Sequence, residues 1–179
     1  MKKSKLKILI DADVVSHFLT GGHIYILPKI FPFPLCILDI VYKELQNYRA
    51  KRIEVENLLT HKIITLIPFP QENREVRKEY LFLKNKQFRG AGESACMAVA
   101  RFSKDIIGSS NLKDIKEYCK LHEISYLTTL DFIYYAVENN CLSSSDADEF
   151  IRKLHSAGHR IPKKVQQYSD IIPQSNPKK

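Results

Sequence analysis

The chain has no run of the roughly 18 consecutive apolar residues that a membrane-spanning helix needs. The apolar stretch after the basic opening Met1-Lys2-Lys3-Ser4-Lys5 is too short for the h-region of a secretory signal. A C-x-x-C pair is also missing: the four cysteines, Cys36, Cys96, Cys119 and Cys141, lie far apart in apolar surroundings. Such spacing argues against a zinc site or a disulfide frame and predicts buried free thiols in a reducing compartment. These absences together predict a cytoplasmic protein without membrane contact. The six histidines offer no ligand pair on a helix, because Gly158 ends the helix that His155 and His159 would have to share. Acidic residues are in deficit, 20 Asp and Glu against 28 Lys and Arg, for a net charge of +8. That balance suits a polyanionic partner such as nucleic acid, and it equally suits an ordinary basic surface.

With 179 residues, 44% of them hydrophobic, the chain fits one compact domain over residues 1–169. The tail from 170 onward, with Pro173, Pro177 and two terminal lysines, is expected to fray. No internal repeat or linker interrupts it. Short apolar, β-prone runs predict strands at 6–10, 35–38, 63–67, 106–107 and 124–128. Helices are predicted at 14–20, 40–48, 52–61, 72–85, 93–103, 112–121, 130–140 and 145–157. Between Ile24 and Pro34 three prolines forbid a long regular element, so a short helical turn and loop are expected. There Tyr25, Phe31 and Phe33 are more consistent with core or dimer contacts than with base stacking. Strands alternating with helices indicate βαβ units, a mostly parallel sheet of four or five strands, and helices on both faces.

In Ile8-Leu9-Ile10-Asp11-Ala12-Asp13-Val14-Val15 an apolar strand runs straight into two carboxylates. Strand ends in open α/β sheets are where ligands bind, although Asp is equally at home as a helix cap. Three more acids fall just after a strand or at a helix start: Glu44, Glu93 behind the loosening Gly90 and Gly92, and Asp114. Asp39 is expected to cap the 40–48 helix. In a parallel sheet those places share one edge. A cluster of like charges is costly unless a cation sits among it, and oxygen ligands without Cys or His favour Mg²⁺ or Mn²⁺. Such a cluster should bring its oxygens within roughly 4–6 Å of one another.

The order of these motifs resembles that of the PIN-domain nucleases, in particular a branch with G-x-G-E at the third acid. The likeness lies in Ile8-Leu9-Ile10-Asp11-Ala12-Asp13, Val41-Tyr42-Lys43-Glu44-Leu45, Gly90-Ala91-Gly92-Glu93-Ser94-Ala95 and Ser109-Ser110-Asn111-Leu112-Lys113-Asp114-Ile115. Tyr126-Leu127-Thr128-Thr129-Leu130 follows as the last strand and its turn, so the match spans residues 6–140. The resemblance implies a three-layer α/β/α fold and a divalent-metal-dependent ribonuclease. It also implies a homodimer, and in bacteria a toxin with an antitoxin partner is one identity such proteins take. Carried over by position, Asp11, Glu44, Glu93 and Asp114 are the implied catalytic, metal-holding carboxylates. Asp13, Ser110 and Asn111 support them, and Ser109 is a further hydrogen-bonding candidate. Asn111 stands where an acid is common, so either it or Asp114 fills the fourth position. Among the nearby cations, Arg89, Lys104 and Lys113 are the expected RNA contacts, with Lys84 and Lys86 beside them. Arg160, Lys163 and Lys164 are further cations with either a phosphate or an acidic partner in reach.

Two other functions compete. Leu9-Ile10-Asp11-Ala12-Asp13-Val14-Val15 also resembles the nucleophile motif of haloacid-dehalogenase-type phosphatases, with Asp11 attacking phosphate and Asp13 as acid/base. Gly108-Ser109-Ser110-Asn111-Leu112-Lys113-Asp114 departs from that family's late motif, and the chain has little room for its cap. The other alternative is a PIN-like nucleic-acid- or protein-binding domain whose acids serve partly as helix caps.

Overall fold

The computed structural model describes residues 6–47, 49–86 and 90–174. Five strands, β1 (Ile8–Ile10), β2 (Leu35–Leu38), β3 (Thr65–Ile67), β4 (Ile106–Gly108) and β5 (Tyr126–Leu127), form one all-parallel sheet in the order β3-β2-β1-β4-β5. Between and after them run α1 (Ala12–Gly21), α2 (Leu27–Ile30), α3 (Asp39–Gln46), α4 (Arg49–Thr60), α5 (Arg74–Lys86), α6 (Ala91–Ser103), α7 (Leu112–Leu121), α8 (Thr129–Glu138) and α9 (Ser144–Ser156). The α6 helix lies against β1, β2 and β4 and carries α5 outside it, while α1 packs with α8 and α9. The result is a three-layer α/β/α fold. No helix of the described residues is long and apolar enough to cross a membrane.

Why the strands are short and uniformly apolar follows from this layering. A parallel strand covered on both faces has no solvent side, so β1 and β2 are buried at every position. β3, at the sheet edge, is the exception: Thr65 and Leu66 are exposed. The sequence pattern extended this strand back to Ile63, but Lys62 turns into the left-handed region (φ 55°) and the N–H of Ile63 returns to Leu58 O. Ile63 and Ile64 therefore finish the α4 turn, with Ile64 in the core. On α5, Val76 and Leu83 are buried and Tyr80 is half-buried along one i, i+4, i+7 row, whereas Leu81, one residue off that row, faces out.

Three further expectations change. Asp39 is the first residue of α3 rather than its cap, and its Oδ1 accepts the Phe69 N–H at 3.0 Å, tying α3 to the segment beyond β3. Residues 170–174 are held: Ile171 is buried, Gln174 N–H donates to Asp131 Oδ1 at 2.7 Å, and Tyr135 Oη–H donates to Gln174 O at 2.8 Å. Among the cysteines, Cys36, Cys96 and Cys119 are buried as free thiols, but Cys141 is only half-buried. In the proline-broken stretch Phe31 and Phe33 are core residues, and Tyr25 is exposed.

An aromatic cluster joins the layers on the α1 side. Phe18 meets Phe132 and Phe150 edge-on at 6.0 and 5.0 Å, all three wholly buried, each ring contributing about 1.5–3 kcal/mol by burial. Gly21 is what allows α9 to come so close, because a Cβ there would stand 2.6 Å from Phe150 Cζ. Gly21→Ala is therefore expected to destabilise the fold by about 1–3 kcal/mol, overpacking outweighing alanine's better helix propensity. Urea unfolding of the variant beside the wild type measures this.

Candidate functional site

The strand order places a topological switch between β1 and β4: the chain builds outward to β2 and β3, then returns to the other side of β1. Ligands of open α/β sheets bind at that crevice, beyond the carboxyl ends of the strands. Asp11 stands there. Its N–H makes the last rung to Gly108 O at 2.8 Å, and its Oδ1 caps α1 by accepting the Ala12 N–H at 2.8 Å. Ser109 Oγ–H donates to its Oδ2 in a long bond of 3.4 Å. Asp11 thus caps α1 and at the same time lines the cleft.

Glu44 and Glu93 arrive from different elements. The α3 helix starts immediately after β2, which sets Glu44 in its second turn, where Oε1 accepts the Gly92 N–H at 2.8 Å. A Cβ on Gly92 would lie 2.7 Å from Glu44 Oε2, 2.9 Å from Val41 Cγ2 and 3.2 Å from Asp11 Oδ1. Only glycine lets the first turn of α6 close onto those two acids; at Gly90 the nearest atom, again of Glu44, would be 3.9 Å away. Glu93 follows, 5% exposed, and Asn111 Nδ2–H donates to its Oε2 at 3.4 Å. Asn111 lines the same cleft. Arg89 and the side chains of Lys113 and Asp114 lie outside the described residues.

Asp13 spends both oxygens on the frame. Its Oδ1 accepts the Val14 N–H at 2.6 Å and its Oδ2 the Ser110 N–H at 2.7 Å. From Ser110 the network runs on: its hydroxyl pairs with Thr129 Oγ1 at 2.7 Å, and Thr129 Oγ1 pairs with His17 Nδ1 at 2.7 Å. The His17 ring meets that of His159 edge-on at 4.6 Å, and His159 Nε2 pairs with Thr20 Oγ1 at 2.9 Å. Buried polar groups are thus satisfied across α1, the ends of β4 and β5, and the segment after α9.

The electrostatics are those of crowded anions. Burial first, then Asp13, pushes the Asp11 carboxyl well above its ordinary range; the Ala12 N–H opposes this, and Glu93 and Glu44 add to it. Burial raises Asp13 too, against the Ser110 and Val14 N–H groups. Beneath them the Cys96 thiol is driven up by its burial and then by Asp11 and the other three acids. His17, desolvated and facing His159 and Lys51, falls to about 4 and is neutral at pH 7. The cleft, of about 490 Å³, is lined by Asp11, Asp13, Glu44 and Glu93, with Asn111, His17, His159 and Arg160 around them. No salt bridge among the described residues reaches Asp11, Asp13 or Glu44.

Asp11, Glu44 and Glu93 therefore converge on one cleft. Among the described residues, no three His, Cys, Asp or Glu stand close enough to hold a metal ion. The donor chemistry still suits a hard divalent cation, since every candidate ligand is oxygen and the carboxylates repel one another. Lys104 is far from the cleft: Glu93 opens α6 and Lys104 closes it, roughly 16 Å along the helix. There its Nζ donates to His122 O at 2.7 Å. Sequence reasoning passed over His17 and Thr129. The i, i+4 spacing from Asp13 to His17 and the placing of Thr129 just after β5 were available signals, whereas nothing in the sequence brought His159 to this cleft.

A carboxyl whose pKa is raised by folding costs stability once pH exceeds its unfolded value, near 3.8 for Asp11, and the cost grows up to the folded value. Asn keeps the helix cap and removes the charge. Asp11→Asn in metal-free buffer is thus expected to stabilise the chain at pH 7 by on the order of 1 kcal/mol, about 2–4 °C in Tm, with the gain vanishing toward pH 4. Thermal melts at the two pH values read it directly. No protein-family model matches the chain and no curated protein does, so the reading of this cleft rests on its own residues.

Proposed function

We propose that this chain is a divalent-metal-dependent ribonuclease of the PIN type, hydrolysing RNA phosphodiester bonds at the Asp11 cleft. The observation that carries the reading is the meeting of Asp11, Glu44 and Glu93, from three separate elements, at the switch point of an all-parallel sheet. Asp11, Glu44 and Glu93 would hold Mg²⁺ or Mn²⁺, with Asn111 beside them in the cleft. When bound, the ion supplies positive charge against the phosphate and acidifies water. The chain's own groups fix this place: Ala12 N–H aims Asp11, Gly92 N–H aims Glu44, and Ser110 N–H locks Asp13 as a brace. With both oxygens committed to backbone donors, Asp13 is poorly placed to serve as the acid/base of a phosphatase. A second reading, a PIN-like RNA-binding domain without catalysis, is favoured by the structural work the acids already do: Asp11 caps α1, and Asp13 accepts the Val14 and Ser110 N–H groups.

A labelled single-stranded RNA incubated with Mn²⁺ or Mg²⁺ separates these readings. Cleavage is expected with either ion and none with EDTA, and Asp11→Asn should slow it about 10³-fold, the several kcal/mol that a metal centre supplies. Mn²⁺ should raise the wild-type Tm and leave that of Asp11→Asn unmoved. Cleavage by Asp11→Asn at the wild-type rate would remove the metal cluster from the mechanism. RNA bound but uncut would favour the binding domain, and turnover of p-nitrophenyl phosphate would favour the phosphatase.

A further inference from the structure

The floor of the cleft repels the polyanion it is proposed to cut, so a cation must hold the strand against it. Arg160 is the one Lys or Arg lining the acidic cleft among the described residues. Lys51, on the far side of Asp13 and Glu44, already donates to Ser16 Oγ at 3.0 Å. Arg160 makes no salt bridge with any described residue, and its side chain is exposed.

The backbone around Arg160 is firmly held. His159 N–H donates to Leu154 O at 3.0 Å, and the His159 ring pairs with Thr20. On the other side Ile161 packs against the core, Val165 N–H donates to Pro162 O at 2.9 Å, and His155 Nε2 pairs with Val165 O at 2.7 Å. The tethered backbone fixes where the Arg160 side chain leaves the surface, at the mouth of the cleft, and the planar fork of its guanidinium matches two phosphate oxygens. The cleft continues past it into a second groove of about 570 Å³, where Ile161 and Pro162 offer apolar surface and Lys163 a further cation. Charge, apolar wall and charge in succession fit the phosphate, nucleoside and phosphate of a strand.

We infer that residues 158–163 form the phosphate-holding rim for RNA, Arg160 clasping the phosphate next to the scissile one and Lys163 the following one. The inference rests on the ribonuclease reading for its substrate, but its test does not depend on catalysis. Binding of a fluorescein-labelled single-stranded oligoribonucleotide is followed by anisotropy, with Ca²⁺ replacing Mg²⁺ and Mn²⁺. Arg160→Ala should weaken binding about tenfold and flatten the log K against log salt slope by about 0.7. Lys163→Ala should act in the same direction but less. Arg160→Lys should recover part of the loss, as a point charge without the fork. Lys78→Ala, on α5, should bind as wild type, and all four should melt as wild type. Wild-type affinity in Arg160→Ala overturns the rim even if the protein cleaves RNA. Weakened binding in Arg160→Ala without any cleavage by the wild type supports the rim and removes the nuclease. No RNA binding by the wild type, or competition by a polyglutamate peptide as strong as by unlabelled RNA, also overturns it.

Discussion

Ile8, Leu9 and Ile10 are wholly buried between two parallel neighbours and beneath helices, and the chain passes from that environment directly into Asp11. A strand covered on both faces can carry a charge only at its end, where helix N-termini and neighbouring loops supply N–H donors. Much of the site follows from this constraint. The Ala12 N–H satisfies one carboxylate oxygen, β4 supplies Gly108 and Ser109 beside it, and α6 can approach only because residue 92 has no side chain. The cost is electrostatic: four acids line one cleft, and burial and its acidic neighbours raise Asp11 well above its ordinary pKa. Perturbed carboxyls gathered in a cleft are where functional sites cluster, and the same crowding costs stability.

A polar network makes the crowded site rigid. Asp13, Ser110, Thr129, His17 and His159 connect α1 to the ends of β4 and β5 and to the segment after α9. Because each hydroxyl and imidazole in it has a partner, the network fixes one arrangement instead of leaving competing ones. It also makes the acidic floor and the cationic Arg160 wall parts of one frame.

How far the residues disclose this differs by element. Asp11, Glu44 and Glu93 were legible because each follows a strand or opens a helix, and a parallel sheet sends all such positions to one edge. Lys104 was misplaced for a related reason: closeness in sequence to Glu93 suggests closeness in space, but a helix of 13 residues carries its ends to opposite sides of the sheet. Asp39 looked like a cap because local composition cannot reveal a donor such as Phe69, 30 residues on. For residues 170–174 the order is invisible in the sequence because the partners of Gln174, Asp131 and Tyr135, are remote.

What the sequence determined by itself is the alternation of buried strands and amphipathic helices, hence the layered parallel sheet, and the residues that stand at its carboxyl edge. Those depend on local periodicity and on the two-sided burial that parallel strands require. The tertiary structure alone decided which of these acids meet, how closely, and what faces them. It was the reversal of strand order at β1 that set Ser110 beside Asp13, and the packing of α9 on α1 that carried His159 and Arg160 back to the cleft. Contacts such as those of Asp13 with Ser110, 97 positions on, and of Thr20 with His159, 139 positions on, arise from the path of the whole chain, and no local pattern encodes them.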